Sequence, residues 1–241
     1  MRWIYLSPHL DDAVLSAGGL IHEQAAQGNA VEIWTLMCGF PQNGELTAYA
    51  SSMHQAWGTG TVEETIALRR QEDTKAASLV RAKTVHFDFL DCIYRRDPEG
   101  QALYHDIYAE MHEADRELVV QIAETLRSGL KGDDRVVCQL GVGSHIDHVI
   151  VRKAAETLGR PLTYDADVPY VLNLPEILSS KTEGMRQSLE HISEAGLGAW
   201  LLAIQGYESQ IESLFLSPEM MKQKMRKYWS EQHGILFWSV S

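Results

Sequence analysis

The chain has little cysteine. Cys38, Cys92 and Cys138 are the only three in 241 residues, widely spaced and with no CxxC pair, which excludes a disulfide framework. Each ends or follows an apolar run, so all three read as small, reduced, buried hydrophobes. Apolar runs are short throughout, and none approaches the ~20 residues that span a bilayer. Positive charge is scarce too: 21 Lys and Arg stand against 33 Asp and Glu, a net charge of -12. A surface of that sign suits neither a phosphate backbone nor anionic lipid, so neither nucleic acid nor membrane is expected as a partner.

The glycine signatures of two large enzyme classes are also missing. Gly141-Val142-Gly143-Ser144 lacks the glycine that completes a GxSxG elbow. Gly18-Gly19 falls inside a helical pattern rather than in a phosphate-binding turn, and close helix-to-sheet packing is its expected use. The segment before Ser7-Pro8 has no secretory core, so a cytoplasmic protein is expected. Composition is that of an ordinary globular protein, 45% hydrophobic and 22% charged.

What the sequence does contain is alternation. Trp3-Ile4-Tyr5-Leu6 reads as a strand, the segment from Asp12 to Gly28 as a helix, and Val31 to Leu36 as a second strand. A long loop is expected from Gly39 to Gly60, then a helix over 62–80, a strand at Thr84–Phe87, a helix over 115–130, a strand at Arg135–Leu140 and a helix over 146–158. Such alternation predicts a single α/β domain, Rossmann-like, with a mostly parallel sheet and helices on both faces. After about residue 165 the pattern loosens into an expected helical extension over 166–241. It has helices at 198–215 and 218–232 and a short strand or packed tail at Ile235–Trp238.

In such sheets the ligand site lies beyond the carboxyl ends of the strands. Two loops there carry His9, Asp11, Asp12 and then Ser144-His145-Ile146-Asp147-His148. Taken alone, each cluster is most economically a helix cap. Converging on one sheet edge, they become a metal site. Two histidines and a carboxylate form a ligand set of catalytic zinc with one position open, and ferrous iron accepts the same donors. If Asp12 is a ligand, Asp11 is free to face the attacking water. His22, His54, His105, His112, His191 and His233 have no partner at ligand spacing and are expected to serve surface or packing roles.

Ser7-Pro8-His9-Leu10-Asp11-Asp12 together with His145-Ile146-Asp147-His148 resembles the PIG-L, or LmbE-like, family of zinc-dependent de-N-acetylases. Arg69-Arg70-Gln71-Glu72-Asp73, Phe89-Leu90-Asp91, Leu140-Gly141-Val142-Gly143 and Tyr207-Glu208-Ser209-Gln210 support it. The resemblance implies that His9, Asp12 and His148 hold zinc and that Asp11 is the general base. It also implies that His145 faces the reacting carbonyl, with Asp147 keeping its imidazole protonated and oriented. The implied substrate is a small amino-sugar conjugate of the N-acetylglucosamine type, with Arg69 and Asp91 as expected substrate contacts. The chain departs from the commonest family form at Leu10 and Ala13, neither a ligand. A tyrosine used near the site by some relatives corresponds to Gly143, which leaves His145 and the metal to stabilise the transition state. Two rivals stand beside this reading: an amidase of the same fold acting on a non-acetyl amide, and a metal- or sugar-binding module without catalysis.

Overall fold

A computed structural model describes residues 1–42 and 45–240; Asn43 and Gly44, inside the expected long loop, lie outside the described residues. The chain runs β1 (Arg2–Ser7), α1 (Asp12–Ala26), β2 (Ala30–Thr35), α2 (Ala48–Ala56), α3 (Val62–Leu79), β3 (Lys83–His86), α4 (Arg116–Gly129), β4 (Arg135–Gln139), α5 (Ile146–Glu156) and β5 (Leu162–Asp165). It continues through α6 (Tyr170–Asn173), α7 (Leu178–Lys181), β6 (Met185–His191), α8 (Glu194–Ile204), α9 (Glu208–Phe215), α10 (Pro218–Ser230) and β7 (Gly234–Val240).

One seven-stranded sheet has the order β3-β2-β1-β4-β5-β7-β6. The first five strands are parallel, as expected; β7 pairs antiparallel with β5, and β6 antiparallel with β7. From β1 the chain builds outward to β2 and β3, then returns to start β4 on the other side. Right-handed crossovers therefore put α1 and α3 on one face and α4 and α5 on the other. The order reverses between β1 and β4, the switch point at which a crevice opens beyond the strand ends.

Three expectations need correction. The Gly39–Gly60 segment is not all loop: α2 forms within it, capped by Thr47 Oγ1, which accepts from the Ala50 amide at 3.0 Å. The expected helix over 198–215 is two helices, broken at Gly206, whose amide bonds back to Ala203 O at 2.9 Å. The extension after 165 is not purely helical. Besides β7, which covers the strand expected at Ile235–Trp238, it adds β6, a mostly exposed edge strand with a polar sequence, MRQSLEH, that no apolar run announces.

Gly18 and Gly19 serve helix-to-helix rather than helix-to-sheet packing. A Cβ on Gly18 would lie 2.5 Å from Trp200 Cδ1, and one on Gly19 would lie 2.9 Å from Ile192 Cγ2. The close approach lets the buried Trp200 indole donate to Val14 O at 2.6 Å and seats α8 on α1. All three cysteines are free and buried, as expected.

Candidate active site

Ser7 ends β1, and its hydroxyl turns the chain: Oγ donates to His9 O at 2.7 Å and accepts from the Ala13 amide at 3.0 Å. Ser7 thus occupies the capping role that the aspartates were free to fill. Asp11 stands at the N-cap position of α1 yet makes no capping bond with its side chain, so its carboxylate is available to the cavity. Asp12 turns back instead, its Oδ2 accepting from the His9 amide at 2.7 Å.

The second cluster arrives from the end of β4, and all eight candidate residues meet. Asp12 Oδ2 lies 3.1 Å from His9 Nδ1 and 3.3 Å from His148 Nε2. Donor atoms around a tetrahedral zinc with bonds of about 2.0–2.1 Å are spaced by about 3.3 Å, so Asp12 Oδ2 stands at ligand separation from each of the two histidines. The far nitrogen of each histidine faces a buried carboxylate. His9 Nε2 is 3.1 Å from Asp147 Oδ2, and His148 Nδ1 is 2.8 Å from Asp167 Oδ1. Such partners fix the tautomer, leaving His9 Nδ1 and His148 Nε2 with free lone pairs.

His145 is close enough to be a competing ligand, its ring centroid 4.6 Å from that of His9 and 5.0 Å from that of His148. Its hydrogen bonding argues otherwise. His145 Nδ1 accepts from the Asp147 amide at 3.1 Å, capping α5. A neutral imidazole has one lone pair and one N–H, so Nε2 of His145 carries the proton and is a donor. Burial also holds His145 well below the ordinary histidine range.

This corrects the expected use of Asp147. Its carboxylate, fully buried, does not serve the His145 imidazole: Oδ1 accepts from Arg95 at 2.6 Å, and Oδ2 accepts from the Cys92 amide at 2.9 Å and faces His9. Arg95 and His9 overcome the cost of burial and hold Asp147 well below the usual carboxylate range. Arg95 also pairs with Asp115 at 3.0 Å, and Tyr104 donates to Asp115 at 2.6 Å, so the post under His9 is itself anchored.

Asp11 differs from its neighbour. Burial, opposed by Arg69 and reinforced by Asp12, raises its carboxyl to about 6. Arg69 is buried over the Trp57 ring at 4.7 Å from its centroid, 3.6 Å from Asp11, and its Nε has no partner. Asp91 uses Oδ1 to accept from the Ile93 amide at 3.1 Å, while Oδ2 lies 3.8 Å from His9 Nε2. Both line a cavity of about 490 Å³ with His9, Asp11, Asp12, His145 and His148, walled by Met53, Trp57, Ile93, Ile107 and Leu214.

Other residues of the supporting motifs bear on the scaffold. Tyr207 donates to Asp73 at 3.0 Å and the Ser209 amide to Glu72 at 2.8 Å, tying α9 to α3 across the cavity wall. His54, buried, bridges Tyr94 and Thr65, the packing role expected of it. Sequence reasoning missed Asp167, Arg95 and Tyr170. Asp167 had a signal, a carboxylate just past the end of β5 on the functional edge; Arg95 and Tyr170 had none, since their partners are remote.

The model of the PIG-L family, described as GlcNAc-PI de-N-acetylase, matches residues 4–158. The 2'-N-acetylparomamine deacetylase of Niallia circulans is 27% identical over 234 residues, covering 88% of this chain and 82% of that protein. The zinc-inhibited form of teicoplanin deacetylase Orf2 superposes with a TM-score of 0.86 at 27% identity, covering 99% of this chain and 97% of that one. The A40926 pseudoaglycone deacetylase Dbv21 gives 0.78 at 25% identity, covering 98% and 96%. Paired histidines backed by carboxylates, at the switch point of a fold shared with these deacetylases, place the site and the sequence match in one frame: the chain belongs to the PIG-L family of metal-dependent de-N-acetylases.

Proposed function

We propose that this deacetylase hydrolyses the acetamide of an N-acetylated amino sugar attached to an apolar aglycone. Asp11 is then the general base and His145 a neutral hydrogen-bond donor. One observation carries the reading: Asp12 Oδ2 lies at ligand spacing from both His9 Nδ1 and His148 Nε2, beside an uncapped, buried Asp11. The donor set suits zinc, with ferrous iron the chemical alternative, and His9, Asp12 and His148 would hold the ion. When bound, such an ion lowers the pKa of water from 15.7 to about 7 and draws electron density from an amide carbonyl.

Asp11 accepts a proton as the water oxygen bonds to the carbonyl carbon. The carbon–nitrogen bond then breaks, the proton passes to the departing nitrogen, and acetate and an amine are released. His145 offers Nε2–H to the oxygen that gains charge, an imidazole rather than an imidazolium because it caps α5 with Nδ1. Arg69 and Asp91 supply a donor and an acceptor for sugar hydroxyls. The apolar wall of Met53, Trp57, Ile107 and Leu214 favours a bulky aglycone, in keeping with a relative named for teicoplanin.

A binding module needs only the ligands; the raised Asp11 and the tautomer-locked His145 favour catalysis. The test is acetate release from a panel of N-acetylglucosamine conjugates by zinc- or iron-loaded protein, with Asp11→Asn as control. Acetate formed by the native chain and not by the variant supports the reading. Release of a longer acid, identified by mass spectrometry, or no release from any conjugate overturns it.

A further inference from the structure

Tyr170 is the first residue of α6, and its ring enters the cavity beside the metal-ligand histidine His148, centroids 5.7 Å apart and planes at 89°. The place it occupies is made by an absence. A Cβ on Gly143 would lie 2.2 to 2.6 Å from Cδ1, Cγ and Cε1 of that ring, so any side chain at 143 would evict it. Tyr108 stands edge-on to the same ring with centroids 6.5 Å apart, bracing it from the outer side.

The segment that delivers Tyr170 is tied to the site. Asp167 holds His148 Nδ1 through Oδ1 and also accepts from the amides of Gly141 at 3.1 Å and Val142 at 3.0 Å, while its carbonyl accepts from the Val171 amide at 2.9 Å. One residue therefore fixes the ligand His148, the turn that ends in Gly143 and the first turn of α6. Around it, His145 Nδ1, His148 Nδ1 and both Asp167 oxygens each have a hydrogen-bond partner. The Tyr170 hydroxyl has none among the described residues. A phenol keeps its proton at neutral pH, its ordinary pKa being about 10.

We infer that Tyr170 is a further catalytic residue, its hydroxyl donating a hydrogen bond to the amide oxygen as that oxygen becomes an oxyanion, in a seat that Gly143 keeps open. The inference rests on the deacetylase reading above and adds a second neutral donor opposite His145. Tyr170→Phe preserves the ring contacts with Gly143 and His148 and removes only the hydroxyl. Loss of one oxyanion donor typically lowers kcat by about 10²–10³. The expected result is a fall of at least tenfold in kcat with KM, metal content and melting temperature unchanged. Gly143→Ala should lower kcat by displacing the ring, and the double variant should be no slower than the slower single one, because both remove the same donor.

A second measurement does not need turnover. Calorimetry with a methylphosphonamidate of glucosamine, a stable tetrahedral anion, should show at least tenfold weaker binding to Tyr170→Phe, with glucosamine binding unchanged. Unaltered kcat, a loss confined to KM, additive single effects, or equal phosphonamidate affinity in the native protein and the Tyr170→Phe variant would each overturn the inference. A native protein that releases no acetate but discriminates the phosphonamidate through the Tyr170 hydroxyl would defeat the deacetylase reading and leave this assignment standing.

Discussion

Asp147 Oδ2 lies 3.1 Å from His9 Nε2, 138 residues away, while the same residue's backbone amide donates to His145 Nδ1 at 3.1 Å. Carboxylate and amide thus hold two histidines in the same Nε2–H tautomer but turned opposite ways, one with its lone pair toward the cavity and one with its proton there. Asp147→Ala removes the first effect and leaves the second. Carboxylates behind ligand histidines typically contribute 10- to 100-fold in metal affinity. Competition titration with a chromogenic chelator should show a loss of that size; unchanged affinity would show that His9 needs no such support.

Asp11→Asn separates proton transfer from metal binding. Asp11 is in contact with the site but outside the three-atom set, so elemental analysis should return the native metal content, while kcat falls by about 10² to 10⁴, the usual contribution of a general base. The pH profile carries the sign. A base must be ionised, and Asp11 is raised to about 6, so native kcat/KM should climb as pH rises through that region. In the Asn variant the residual rate should lose that acidic limb. A retained limb would assign it to another group.

Stability has its own pH dependence at the opposite end of the sheet. Asp134 is buried and paired with Arg2, whose Nε donates at 2.8 Å, and its oxygen also accepts from the Lys131 amide at 2.7 Å. Arg2 holds its carboxyl below the ordinary carboxylate value, against the opposing cost of burial. A group with a depressed folded pKa stabilises above its unfolded pKa of about 3.9, and that contribution disappears as pH falls through the folded value. Asp134→Asn should therefore lower the melting temperature at pH 7 by several degrees, given about 1.5–3 kcal/mol for a charged hydrogen bond. The difference from native should shrink below pH 4. An equal difference at pH 7 and pH 3 would contradict the linkage.

Gly18→Ala tests the α1–α8 contact. The added methyl meets the buried Trp200 ring at 2.5 Å and threatens the indole bond to Val14 O. Overpacking of this kind costs about 1–3 kcal/mol. Thermal denaturation should show the loss, while turnover at 20 °C stays near native because the contact lies away from the cavity. A more stable variant would show that α8 can shift without cost.

Much of this molecule is legible in one dimension, for a physical reason. Alternation of short apolar strands with amphipathic helices forces a parallel sheet, and that topology places the loops after β1 and β4 side by side. The convergence of His9, Asp12 and His148 is therefore visible before any coordinates exist. Local spacing does not say which atom each side chain offers. The adjacency of Asp147 to His145 suggested a pair, yet the helix start at Ile146 turns the carboxylate toward His9 and Arg95 and leaves only the amide for His145. Arg95 and Tyr170 were hidden because their partners lie in other segments, and β6 because an exposed edge strand carries no apolar signature. Spacing along the chain specifies which elements form and where their ends meet. Lone pairs, protons and the free volume above Gly143 are assigned only when segments from different elements pack against each other.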